Sequence, residues 1–346
     1  MKAKLQENPK LRTSLILLGL SAVILLLPLF IQSNYIISVA VTCFLYSCFG
    51  VCWNMISGYG GQISWCHAVF VSIGAYTTIL MNNHLGWSPF IAIPVSMAIA
   101  LIASTGIGKI SFRYRGPFFS ITTIAFAEIV RVLLLNFRDF TGGSAGITRP
   151  YLGASLWHLM FENDTPFYYI SFALLALVVF ITYQFEKSRT GYYLKAIKGD
   201  EDAAISLGIN TSRIKLTAFQ LSAVLTAAIG VFYASFINYV QPNTVCGMDF
   251  SVKIGSVVIV GGLGTVWGSM VGAFILIPLI ELANVLLGAQ GGSQLLYGLA
   301  LIVVVIIQPK GVIYLFSKES RKTVRGYKEK LIKKLRGKSQ RKEEPV

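Results

Sequence analysis

Charge is what this sequence has least of. Asp, Glu, Lys and Arg together make up 13% of 346 residues, about half the share of an ordinary soluble domain. Acids are the scarcer sign, 15 against 30 Lys and Arg. No paired carboxylates stand at catalytic spacing, and no activated nucleophile accompanies them, so a membrane enzyme is disfavoured. The five cysteines (Cys43, Cys48, Cys52, Cys66 and Cys246) form no CxxC pair and stand beside no histidine at ligand spacing, so no metal site and no catalytic residue is assigned. A Gly-x-x-x-x-Gly-Lys-Ser/Thr phosphate loop is also missing, which excludes ATP hydrolysis by this chain. An alternating apolar–polar pattern is missing too, which excludes a membrane β-barrel.

What remains is apolar. Hydrophobic residues reach 54%, and they come in runs near the 20 or so residues a helix needs to cross a bilayer. Closed helices are then the way to satisfy the backbone in lipid. The expected fold class is an all-α polytopic membrane protein with about ten transmembrane helices. The expected spans are 14–32, 35–57, 62–81, 88–108, 117–136, 167–184, 215–237, 251–267, 268–288 and 293–308. The first follows four basic residues but is too long for a signal core and lacks a small-residue cleavage site, so it reads as a retained span. Gly interrupts 58–82 and 251–275, and each is expected to be a broken or re-entrant segment.

Charge placement tests this count. Residues 1–13 hold four Lys/Arg, 109–116 three, 185–215 six and 309–346 thirteen, which is 26 of the 30. With ten spans all four segments fall on one side, the cytoplasmic side by the positive-inside rule. The resulting organisation is a cytoplasmic N-terminus (1–13), a transmembrane domain (14–308) and a basic cytoplasmic tail (309–346). The tail is expected to be a solvated topology anchor that touches anionic headgroups. The longest outside segment, 137–166, is too short to be a ligand-binding domain.

The segment about 186–214 carries the clearest local signals. Asp200 suits an N-cap, Glu201 and Asp202 fill an acidic first turn, and Gly208 is placed as the C-terminal stop. A short helix results, with Ala203, Ala204 and Leu207 on one side, preceded by a second helix over Tyr192 to Lys198. Small residues on an exposed helix allow another protein to approach closely, whereas the bland alternative is an ordinary connecting loop.

The segment resembles the ATPase-contacting loop of branched-chain amino-acid ABC transporter permeases of the LivM type, within the LivH/LivM family. The resemblance runs through most of residues 35–315. Its motifs are Gly58-Tyr-Gly-Gly-Gln-Ile-Ser64 with His67 and Ala68, Gly74-Ala-Tyr76, the stretch from Arg115 to Arg131, and Thr141-Gly-Gly-Ser-Ala-Gly146. Arg213 to Phe219, Gly261-Gly-Leu-Gly-Thr-Val-Trp-Gly268 and Gln308-Pro-Lys-Gly311 complete it. Trp65-Cys66 departs from the usual Leu-Gly and bears on the substrate.

The resemblance implies a permease subunit of an ATP-driven importer for branched-chain or other small amino acids, in the plasma (inner) membrane. Its implied partners are a related second permease subunit (LivH-like), two ABC ATPase subunits and an extracytoplasmic solute-binding protein. No cofactor is bound by this chain; ATP and Mg belong to the ATPases. Urea or short-chain amides are an alternative cargo. An ion-coupled secondary transporter is the alternative class, for which Glu128 and Glu281 are the main intramembrane carboxylates. The coupling residues are expected to be Gly191, Ala196, Asp200, Glu201, Ala203, Ala204 and Gly208. Pathway candidates are Gly58, Gly61, Gln62, Ser64, His67, Glu128, Arg131, Gly142, Gly143, Gly261, Gly262 and Gly264. Gly58, Gly60 and Gly61, and likewise Gly261, Gly262 and Gly264, suit helix breaks whose backbone lines a cavity. Glu128 and Arg131 lie three apart and pair, either structurally or at substrate. His67 is either a pathway group or a packing histidine. Gly268 and Gly272 form a small-xxx-small packing pair. The two Gly-rich segments hint at an internal repeat.

Overall fold

The computed structural model describes residues 33–287 except 152, residues 311–316, and the isolated positions 28, 298, 299, 301, 302 and 306. The described chain is almost wholly helical. Its helices are α1 (Asn34–Ser57), α2 (His67–Leu85), α3 (Pro89–Ser111), α4 (Pro117–Asn136), a single turn α5 (Arg138–Thr141) and α6 (Thr165–Lys187). They continue as α7 (Arg189–Gly199), α8 (Glu201–Ser206), α9 (Thr211–Ile237), the turn α10 (Pro242–Val245), α11 (Met248–Gly261) and α12 (Val266–Leu287). Seven described helical stretches are long and apolar enough to span a membrane: α1, α3, α4, α6, α9, Pro242–Gly261 and α12. Apart from the isolated positions just named, the expected spans 14–32 and 293–308 lie outside the described residues, as does most of 309–346.

Local chemistry sets the helix ends. Ser88 caps α3, its hydroxyl accepting from the Phe90 N–H at 3.2 Å, with Pro89 in the first turn where its missing N–H costs nothing. Pro117 opens α4 in the same way. Gly86 ends α2 at φ +64 and Asn238 ends α9 at φ +57, both left-handed stops.

The central helix is α1, whose last seventeen or so residues are buried almost without interruption. Around it pack α6, α9, α11 and α12, while α9 also packs along α2 and α3. Lipid offers no hydrophobic drive between helices, so close contact depends on small residues. A Cβ on Gly74 of α2 would lie 2.0 Å from the Ala227 carbonyl oxygen of α9. Likewise, one on Gly272 would meet the Val257 carbonyl at 1.8 Å, which holds α12 against α11. Gly268 meets Gly262 in the same hairpin. By contrast α4 lies at the edge, with few buried residues. A two-stranded antiparallel sheet, β1 (Ile147–Thr148) with β2 (Tyr239–Val240), ties the segment after α4 to the end of α9, pairing Ile147 with Val240.

The two Gly-interrupted segments are breaks. Residues 58–66 and 262–265 are non-helical between long helices. The boundary between the expected spans 251–267 and 268–288 therefore moves to 262–265. Gly262 at φ +133 and Gly264 at φ +81 leave the helical region there, and the chain re-enters helix at Val266.

Candidate coupling and translocation site

The first break is non-helical backbone set against the bundle, and in lipid its backbone groups need partners. Side chains supply them. The Ser57 hydroxyl accepts from Ser64 N–H at 3.2 Å, and Thr123 Oγ1 of α4 accepts from Trp65 N–H at 3.1 Å. Trp53 Nε1 donates to the Ser64 carbonyl at 2.6 Å, and Ser120 Oγ donates to the Ile63 carbonyl at 2.8 Å. At the start of α2, Ser251 Oγ accepts from Ala68 N–H at 3.1 Å. Trp65, the departure noted above, lies 6.3 Å from Trp53 centroid to centroid and fits over Gly255, where a Cβ would reach its ring at 3.0 Å.

The two breaks meet each other through Asn54. Its Oδ1 accepts from Gly264 N–H at 2.8 Å, and its Nδ2 donates to the Thr265 carbonyl at 3.1 Å. A Cβ on Gly58 would fall 1.7 Å from Asn54 Oδ1 and 2.7 Å from Gly264 N. Gly311 closes the cluster, since a Cβ there would lie 2.3 Å from Gly262 Cα. Gly58, Gly61, Gln62, Ser64, Gly261, Gly262 and Gly264 thus belong to one region.

Directly against this region sits the pair α7–α8. Asp200 Oδ1 accepts from Ala203 N–H at 3.0 Å, and Gly208 adopts φ +81, as the sequence predicts for a cap and a stop. The earlier helix is longer than the expected 192–198, because Ser188 caps it by accepting from Gly191 N–H at 3.2 Å. One stripe of α7, formed by Gly191, Leu194 and Ile197, is buried. At Gly191 a Cβ would come 2.3 Å from the Phe185 carbonyl oxygen, so the turn from α6 needs glycine.

Four polar links pin the pair to the bundle. Lys198 Nζ donates to the Gly58 carbonyl at 2.7 Å. Lys195 pairs with Glu186 at 2.6 Å, and Glu186 also accepts from the Tyr59 hydroxyl at 3.2 Å. Burial and the adjacent Glu186 push the Tyr59 phenol up. Lys215 of α9 is 1% exposed and pairs with Glu201 at 2.7 Å. Arg115 pairs with Asp202 at 2.7 Å, a bond that raises its guanidinium above the usual value. That last contact joins the basic segments 109–116 and 185–215, so both lie on one face.

Of the expected docking residues, Ala204 is buried and packs inward, whereas Ala196, Ala203 and Leu207 are exposed. The large apolar side chains the pair exposes are Tyr192, Tyr193, Ile205 and Leu207, with Leu207 82% exposed.

Of the remaining pathway candidates, His67 directly follows the first break, and Glu128, Arg131, Gly142 and Gly143 lie away from both. His67 is fully buried; its Nε2 lies 2.8 Å from Ser222 Oγ, which itself donates to the Cys52 carbonyl at 2.6 Å. The serine proton is therefore committed, and His67 Nε2–H is the donor. Phe70 and Phe219 flank the ring. On α4, Glu128 binds Arg131 through both oxygens, and Arg131 Nη1 donates to Asn243 Oδ1 of α10 at 2.6 Å. Glu128 nevertheless keeps 54% of its side chain exposed. Gly142 (φ +69) and Gly143 (φ +57) shape the turn beyond α5, at the opposite end from α7–α8. All five cysteines are free and buried. Sequence reasoning did not single out Asn54, Lys198, Lys215 or Arg115 as site residues. It also passed over Arg149, a buried guanidinium that donates to Asn82 Oδ1 at 3.1 Å and is pushed down to about 10 by burial. Asn54 and Lys215 did carry a signal: each is a strongly polar group inside or bordering an apolar run.

The family model for the branched-chain amino acid transport system permease component matches residues 35–307. The chain belongs to this family. It is a multi-pass membrane permease component of an ABC importer, with no catalytic centre and no cofactor expected of its own. It is 27% identical over 330 residues to the high-affinity branched-chain amino acid permease protein LivM of Salmonella typhimurium, covering 89% of this chain and 76% of that one. To LivH of Escherichia coli it is 26% identical, over 78% of this chain and 91% of that one. A shorter similarity, 29% over 129 residues, links it to the autoinducer 2 import system permease protein LsrC of Photorhabdus luminescens, over 36% of this chain and 37% of that one. No solved structure matches.

Proposed function

We propose that this permease carries branched-chain or other small amino acids inward across the plasma membrane, with α7–α8 as its cytoplasmic ATPase-docking element. Its complex comprises a LivH-like second permease, two ABC ATPases and an extracytoplasmic solute-binding protein. The observation that carries the coupling assignment is the Lys198–Gly58 bond, which joins the docking element to the mouth of the paired breaks. Nucleotide-driven closure of the ATPases displaces α7–α8. Lys198 passes that displacement to Gly58, and Asn54 passes it on to Gly264 and Thr265, so both breaks move together. Long-range similarity to LivM and LivH supports the amino-acid cargo.

Uptake of labelled leucine and labelled urea, in cells with and without the gene, tests the cargo. Leucine uptake is expected to fall on deletion and return on complementation. A fall in urea uptake alone assigns the chain to short amides instead. Loss of neither, with the partner subunits co-expressed, overturns both. Adjacent genes for two ATPases, a second permease and a binding protein are expected, and a stand-alone locus contradicts the complex.

A further inference from the structure

Between the end of α3 and the start of α9 lies a half-open groove of about 200 Å³. Its floor is apolar, formed by Gly108, Phe112 and Leu216, and its rim carries Lys109, Arg113 and Arg213. Glycine at 108 keeps the floor open: a Cβ there would lie 2.5 Å from Leu216 Cδ1. None of the three cations has an acidic partner among the described residues, although their neighbours Arg115 and Lys215 are both paired. Arg213 also stands in the first turn of α9, where the helix dipole is positive and a cation is disfavoured. Three uncompensated positive charges, reinforced by a helix N-terminus, surround an apolar slot at the end of two membrane-spanning helices.

We propose that this groove is a binding site for an anionic phospholipid. Lys109, Arg113 and Arg213 hold the headgroup phosphate, and the acyl chain starts down over Phe112 and Leu216. Basic pockets between transmembrane helices favour anionic headgroups for this reason. A small soluble anion satisfies the cations but leaves the apolar floor exposed. The polar stretches at both ends of the chain are basic, four Lys and Arg against one Glu in 1–13 and twelve against four Glu after Ser317, so their net charge repels this rim.

The test uses the full chain purified in mild detergent and mixed with phosphatidylglycerol and phosphatidylcholine in equal amounts, with native mass spectrometry counting retained lipid. The wild type is expected to keep phosphatidylglycerol selectively. The double variant Arg113→Gln/Arg213→Gln is expected to lose roughly 30-fold of that preference, from two phosphate-facing cations. Ser212→Trp leaves every charge in place but fills the slot from an exposed rim position, so it loses the lipid as well. Lys187→Gln, a cation on the same face but outside the groove, retains it. Equal retention of the two lipids by the wild type overturns the proposal, as does a matching loss in Lys187→Gln. Displacement of the bound lipid by millimolar inorganic phosphate also overturns it, because the site is then one for a small anion.

Discussion

Lys198 bonds the docking pair directly to the backbone of the first break, and its chemistry makes the link testable. Lys198 reaches the Gly58 carbonyl, one of the acceptors left open where α1 ends, and Gly58 is held in turn by Asn54. Lys198→Met removes the donor but keeps the stem that covers Gly61. It is expected to reduce uptake at least tenfold while ATPase subunits still co-purify; Lys198→Arg, which keeps a donor, restores part of it. Full uptake by Lys198→Met sinks the bond's role in coupling. Asn54 acts within the membrane part. Replacing it by Leu leaves the Gly264 N–H and Thr265 carbonyl unpaired in an apolar setting, at a cost of about 1–3 kcal/mol for each group. Thermal denaturation in detergent is expected to show a lower midpoint for Asn54→Leu than for Thr42→Ala, whose hydroxyl only back-bonds to the Ser38 carbonyl within α1.

At the scale of elements, the breaks and the docking pair differ in how far they could be read from sequence. Gly58, Gly60 and Gly61, and again Gly262 and Gly264, marked where the helices end: Gly61, Gly262 and Gly264 take positive φ, while a Cβ on Gly58 or Gly60 would clash with Asn54 or the Ile56 carbonyl. Asp200 and Gly208 likewise marked the limits of α8. Which face of α8 turns outward was not legible, since a six-residue helix offers too few positions to establish a period. Ala204 therefore packs inward, although its small size suggested docking. That reversal fixes a prediction: Leu207→Arg is expected to weaken ATPase binding while leaving the permease folded. Ala204→Trp instead disturbs α8 itself and lowers stability. The tertiary pairings were invisible for a different reason, as sequence spacing says nothing of Glu201 meeting Lys215. Because Lys215 is buried, Glu201→Gln leaves its ammonium facing a neutral partner. It is expected to destabilise the protein by several kcal/mol, approaching the 3–5 kcal/mol or so typical of a broken buried pair. Asp202→Asn, at an exposed pair, is expected to cost about 1 kcal/mol or less. Equal costs by thermal melting contradict a structural role for the buried pair.

The orientation of the whole molecule is where sequence and structure bear on one another most directly. The four basic segments assign a side by charge alone, and the Arg115–Asp202 pair brings two of them together on one face. Two basic segments sharing a face is a geometric requirement of the parity argument, and a miscounted span between 116 and 185 breaks it. The opposite face carries β1, β2 and the segment around Trp157, which is 60% exposed. Because all five native cysteines are buried, they give little background to thiol labelling. Single cysteines at Leu207 and Trp157 therefore report the two faces separately. A membrane-impermeant maleimide added to intact spheroplasts is expected to label Trp157→Cys and spare Leu207→Cys, and inverted vesicles are expected to reverse the pattern. If Leu207→Cys reacts from outside, α7–α8 faces away from the ATPases. In that case the coupling role of Lys198 falls, while the lipid preference of the groove between α3 and α9, read on protein in detergent, stands or falls on its own test.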